Sequence, residues 1–276
     1  MSDEQRYAVL IDAENVSPKY IKIILDEASN YGITTYRRIY GDWTSTRNNG
    51  WKEVLLNNSI TPIQQYSYTE GKNASDSAMI IDAMDILYSM SVDGFVLVSS
   101  DSDFTRLASR LRESGMSVLG MGESKTPGAF IAACNTFKYL DILFENEHEG
   151  EEVSDPEISG DKNEKKEVRR CAPRKDPVIK KPERKEGNGK FPQPQTKLST
   201  VKRALKTIIL ENSDEDSWMS LANLGNQLSK RFPDFDVRNY GHKKLVTFVE
   251  SLNDFEIEHR QVSQDGKTKQ LFVRIK

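Results

Sequence analysis

The first 145 residues alternate between short, solidly apolar runs and longer stretches in which apolar positions recur every three or four residues. Runs such as "YAVLI" (7–11) and "FVLVS" (95–99) are too short for helices and too uniformly apolar for half-exposed strands. That pattern predicts strands buried on both faces, as in a parallel sheet. Similar runs at 34–40, 61–67 and 117–121 make five strands, and "TFKYLDIL" (136–143) reads as a sixth and last. Helical periodicity fills 18–30, 47–57, 75–90 and 103–114, with a short helix near 127–134. This βα alternation predicts an α/β domain, a parallel sheet with helices on both faces.

In such sheets ligands meet the chain at the carboxyl ends of the strands, where the strand order reverses. Asp12 and Asn15 follow the first strand, and Asp101 and Asp103, in "VLVSSDSDF", follow the fourth. A third acidic position lies in "NASDSAMIIDAMDILYSM". With Asp76 at zero on a helical wheel of about 100° per residue, Ala83 and Leu87 fall within about 20° and Ile80 within about 40°. Asp76 is therefore predicted to sit on the apolar face in the first turn, with Asp82 on the flank and Asp85 toward water. A carboxylate aimed at a core is costly unless paired or bound to a cation, and a divalent metal shared with Asp12 and Asp101 would meet that need. Each residue also has a plain alternative. Asp12 is a turn former, Asp76 is favoured by the helix dipole, and Asp103 is a natural N-cap for a helix beginning at Phe104.

Other chemistries fit less well. No G-x-G-x-x-G follows the first strand, and "GMGESKT" misses the phosphate-loop pattern because Ser124 stands before Lys125. A phosphatase or nucleotide hydrolase with an aspartyl nucleophile has Glu14 in place but not the usual sequel at Asn15. Residues 1–145 contain no histidine, which removes imidazole catalysis there. Metal-activated water is what remains. Arg47, Lys72 and Lys125 fall in loops or helix starts after strands, where they grip phosphates or are ordinary surface charge. Trp43 is a candidate to stack on a base, while Trp51 belongs to the core.

Charge divides the chain further. Residues 145–167 carry net −7, whereas 168–200 carry net +7 and are rich in Pro and Gly. Such blocks bury too little apolar surface to fold, so 146–198 is expected to be a disordered linker between domains 1–145 and 199–276. Its basic half either touches nucleic acid or only solvates a tether. Beyond it, "TVKRALKTIIL", "SLANLGNQLSKRFPDF" and "YGHKKLVTFVESL" have helical stripes, and "FEIEHRQVSQDGKTKQLFVRIK" reads as a hairpin turning at Asp265-Gly266. Three helices and a hairpin predict a small winged helix. Lys243, Lys244, Lys267 and Lys269 face phosphate there or simply coat a solvated helix and wing.

No apolar stretch reaches the roughly 18–20 residues of a membrane helix. "MSDEQRY" lacks the basic and apolar regions of a signal peptide. The two cysteines, Cys134 and Cys171, and three histidines match no zinc spacing. A reduced, cytoplasmic setting is expected.

The strand "LIDAENV", the helix "GKNASDSAMIIDAMD", "VLVSSDSDF" and the tail "TPGAFIAACNTFKYLD" resemble an NYN domain of the LabA-like branch, a relative of the PIN-domain nucleases. The likeness runs over residues 6–143. It implies a PIN-like, Rossmann-like sheet and a Mg²⁺- or Mn²⁺-dependent ribonuclease, with Asp12, Asp76, Asp101 and Asp103 as the acidic cluster and Asn15 as its polar companion. Relatives that bind RNA without cutting leave a non-catalytic adaptor as the alternative. "LANLGNQLSKRFPDFDVRNYGHKKLVTFVE" resembles an OST-HTH/LOTUS domain, which implies binding of RNA or of a protein partner such as a helicase.

Overall fold

A computed structural model describes residues 4–65, 74–149, 193–214, 216–261 and 269–276. The first domain is a six-stranded parallel sheet built from β1 (Arg6–Asp12), β2 (Ile33–Gly41), β3 (Thr61–Gln64), β4 (Gly94–Val98), β5 (Ser117–Gly122) and β6 (Thr136–Tyr139). The strands lie in the order β3-β2-β1-β4-β5-β6, so the direction of winding reverses between β1 and β4. The parallel pairing is that expected of the alternating pattern.

Each face of the sheet has its own core. Ala8, Leu10, Phe95 and Leu97 point to the side covered by α3 (Ala74–Tyr88), α4 (Thr105–Glu113) and α5 (Gly128–Ala133). Their sequence neighbours Val9, Ile11, Val96 and Val98 point to the side of α1 (Ile21–Ser29), α2 (Trp51–Asn57) and α6 (Leu140–Glu149). Consecutive side chains of a strand alternate between faces, so a strand buried twice must be apolar throughout. Trp51 is fully buried, as expected.

Two local expectations change. The run "TFKYLDIL" is strand only through Tyr139, and Leu140 begins α6. Leu140 and Leu143 recur at helical spacing and pack on the core beneath α1, where a strand would have turned one of them outward. Asp103 lies inside a short 3-10 turn and not at the N-cap position of α4, which is Phe104. Asp101, in extended conformation, caps the short 3-10 turn Ser102–Phe104 by accepting from the Asp103 N–H at 2.9 Å. The cap moves two residues upstream because the chain enters α4 (Thr105–Glu113) through that turn.

The C-terminal domain comprises α7 (Leu198–Asn212), the two-residue strand β7 (Met219–Ser220), α8 (Leu221–Arg231), α9 (Leu245–Ser251), β8 (Phe255–Gln261) and β9 (Lys269–Ile275). The expected hairpin, β8 with β9, gains β7 as a third antiparallel strand. The turn placed at Asp265-Gly266 lies outside the described residues. Phe248, Val249 and Leu252 point inward as the periodicity predicts. α6 continues to Glu149, past the expected start of the linker, and the description resumes at Gln193. From there the C-terminal domain packs against β6, an outermost strand of the large sheet.

Candidate metal centre at the sheet switch point

β1 and β4 end side by side, and the loops leaving them carry Asp12 and the Ser99–Asp103 segment. Asp12 is 2% exposed. Its Oδ1 accepts from the Glu14 N–H at 3.0 Å, a turn closed by the side chain two residues upstream. Its Oδ2 accepts from Asn15 Nδ2 and from Ser99 Oγ, both at 2.7 Å. Burial raises the Asp12 pKa, and these donors work against the rise. Ser99 is wholly buried, and its Oγ also accepts from the Asp101 N–H at 3.1 Å. One hydroxyl thus ties the β1 carboxylate to the β4 loop.

Asp76 reaches the same place from α3. Its helix is anchored from below: Asp82 accepts from the Tyr40 hydroxyl and pairs with Arg38, while Met79, Ala83 and Leu87 are buried. The inward placement read from the wheel holds, and Asp85 is exposed. Burial, then the negative charges of Asp12, Asp101, Glu14 and Asp103, push the Asp76 carboxyl up to about 6. Carboxylate oxygens of half-buried Asp76, half-buried Asp101 and exposed Asp103 all lie within 4.8 Å of one another. Asp12 stands beside this trio, its oxygens already committed to Asn15, Ser99 and the Glu14 N–H. The donor set suits a hard divalent cation, which takes oxygen ligands and offsets clustered negative charge.

Family models match the chain twice, as NYN domain over residues 6–141 and as OST-HTH/LOTUS domain over 196–266. The chain is an NYN-domain protein with a C-terminal OST-HTH/LOTUS domain. The six-stranded sheet is thereby the fold of the PIN-like nuclease superfamily. A crystal structure of a protein of unknown function from Vibrio parahaemolyticus is similar at 19% identity and a TM-score of 0.44, over 51% of this chain and 96% of that one. A solution structure of an uncharacterized protein from Nitrosomonas europaea is 33% identical with a TM-score of 0.25, over 33% of this chain and 92% of that one. No curated protein matches this chain.

The remaining candidates scatter. In the NYN domain, Trp43 donates its indole N–H to the Ile63 carbonyl at 3.0 Å and packs on the core, so its ring is held in place. Arg47 is exposed on the turn Thr46–Asn48. Lys125 pairs with Glu123 at 2.7 Å. In the OST-HTH domain, Lys243 lines a cleft against Asp26, Glu27 and Glu147 of the NYN domain, and Lys244 is exposed at the start of α9. Lys72 and Lys267 lie outside the described residues. Sequence reading passed over Ser99, although two serines directly before Asp101 were its signal. No described helix is long and apolar enough to cross a membrane.

Proposed function

We propose that the NYN domain cleaves RNA phosphodiesters with a divalent cation, Mg²⁺ or Mn²⁺, held by Asp76, Asp101 and Asp103. In this reading the OST-HTH domain engages RNA or a protein partner. One observation carries it: three carboxylates converge within 4.8 Å at the ligand-binding edge of a nuclease-superfamily sheet. A bound cation there would polarise a phosphodiester oxygen and lower the pKa of a bound water. The chain's own residues do the positioning. Asn15 and Ser99 fix the Asp12 carboxylate, whose charge adds to the field at the cluster. The Asp101 N–H, held by Ser99, and the Asp103 N–H, held by Asp101, set the loop that presents both acids.

Purified protein incubated with single-stranded and structured RNA should cleave in Mn²⁺ or Mg²⁺ and stop when chelator is added. Asp12→Asn and Asp101→Asn should be inactive. Cleavage that survives chelator, or persists in Asp101→Asn, would exclude the metal mechanism. RNA binding without cleavage in either cation would favour the adaptor reading.

Ser99→Ala removes a donor to Asp12 and the acceptor of the Asp101 N–H together. Losses of this kind behind a metal ligand typically cost about 10–100-fold in activity, and a lost buried hydrogen bond costs about 1–3 kcal/mol. The expected variant is folded, somewhat less stable in melts, and slower in RNA cleavage by that factor. Wild-type turnover in Ser99→Ala would remove Ser99 from the site.

A further inference from the structure

Among the described residues, the OST-HTH domain reaches the NYN domain chiefly through a short stretch, Phe232 to Arg238, "FPDFDVR". Pro233 offers its carbonyl to the Phe137 N–H of β6 at 2.8 Å, so the outer side of that strand finds its backbone partner in the other domain. Asp234, 3% exposed, accepts from the Tyr139 hydroxyl at 3.0 Å and from the Thr196 N–H at 3.0 Å. Asp236 pairs with Lys138 at 2.5 Å. Arg238 forks onto Glu27 of α1, with Nη1 to Oε1 at 2.5 Å and Nη2 to Oε2 at 3.0 Å, and also grips Asp236 at 2.8 Å.

These charges are costly to bury and are therefore informative. Glu27 is 8% exposed, so without its partner it would be a stranded charge inside the molecule. Burial alone would raise the Asp236 carboxyl, but Arg238 and Lys138 hold it well below the usual carboxylate range. Arg presents its donors in a planar fork that matches a carboxylate, which makes Glu27–Arg238 specific in orientation as well as charge. A strap follows the same line: the Gln195 N–H donates to the Tyr139 hydroxyl at 3.2 Å, and its side-chain amide reaches the Thr126 carbonyl.

We propose that Phe232–Arg238 is an intramolecular docking motif that seats the OST-HTH domain on β6 and α1 of the NYN domain. The partner of this surface is the chain's own other half. A covalent tether keeps the two at an effective concentration of order millimolar, so a modest interface stays closed. This face of the OST-HTH domain is consequently occupied by protein, and outside ligands are left to its other faces. The docking is independent of whether the acidic cluster cuts RNA.

Hydrogen exchange on the full-length protein tests it. The Phe137 amide should be protected, as should those of Val9 and Leu97 within the sheet. Arg238→Glu on one side of the contact and Lys138→Glu on the other should each speed Phe137 exchange at least about tenfold. Both should enlarge the radius of gyration in small-angle scattering and leave Val9 and Leu97 protected. An unprotected Phe137 amide in wild type, or variants that leave it protected, would overturn the proposal. If a variant also loses protection at Val9 and Leu97, wild type carrying a site-specific protease sequence within 150–192 decides. Fragments that co-elute after cleavage support docking, and fragments that separate overturn it.

Discussion

Asp76→Asn is expected to lose RNA cleavage by at least about 100-fold, since changes one shell further out already cost about 10–100-fold. Its metal-free fold should nevertheless be at least as stable as wild type. Asp76 has its pKa raised from 3.8 to about 6, by burial first and by four neighbouring acids after that. A carboxyl whose folded pKa is raised holds its proton longer in the native state than in the unfolded chain. Its contribution therefore falls as pH rises through the window from about 4 to 6 and is fully unfavourable above it. The group is partly solvated, so screening limits the penalty to about 1 kcal/mol. Added Mn²⁺ reverses the balance, because a ligand at 100 times its Kd stabilises the native state by about 2.7 kcal/mol. That amounts to a rise in Tm of roughly 5–10 °C for a chain of this size. Melting curves with and without Mn²⁺ should show the rise in wild type and in Asp85→Asn, but little of it in Asp76→Asn. Without metal, lowering the pH from 7 to 5 should stabilise wild type relative to Asp76→Asn. Equal metal-induced shifts in wild type and Asp76→Asn would make Asp76 a structural residue.

Gly122→Ala should damage both stability and the site. A Cβ at this position would lie 2.6 Å from the Ser99 carbonyl, 2.6 Å from Thr126 Oγ1 and 3.0 Å from Ser100 Oγ. The first of these is backbone and cannot swing away. It belongs to the residue that holds Asp12 and Asp101. Overpacking of this kind costs about 1–3 kcal/mol, or roughly 3–10 °C in Tm, and the displaced loop should take RNA cleavage down with it. Gly50→Ala is the control: its Cβ would meet only Pro18 Cγ at 3.5 Å, and its φ of −63° suits alanine. Its melt should stay within about 0.5 kcal/mol of wild type. A Gly122→Ala protein that melts and cleaves like wild type would show that β4 and β5 have slack between them.

Gly122 also explains a sequence feature that pointed the wrong way. "GMGESKT" looks like a damaged phosphate loop because of its two glycines. Gly120 packs against Cys134 and Phe137, and Gly122 against Ser99, so both are places where strand β5 has no room for a side chain. The alternation of strand and helix and the inward aim of Asp76 were legible because both are carried by periodicity within a few turns of chain. Asp101 in place of Asp103 as the cap was not legible, since a two-residue shift depends on the backbone angle at which β4 is left. The arrangement of Lys138, Arg238 and Glu27 was hidden for a different reason. Glu27 and Arg238 are 211 residues apart, and each alone looks like any surface charge.

The position of Pro233 bears on how this protein avoids its own kind. An open sheet presents unpaired amides along its margins, and those amides are templates for the next molecule's strand. At one margin β3 spans only Thr61–Gln64 and contains Pro62, which has no N–H to offer. At the other, the Phe137 N–H is already taken by Pro233. A chain shortened to its first domain would regain that open amide on β6. The C-terminal domain would then have a second value, as a guard against aggregation, that no assay of RNA turnover would register.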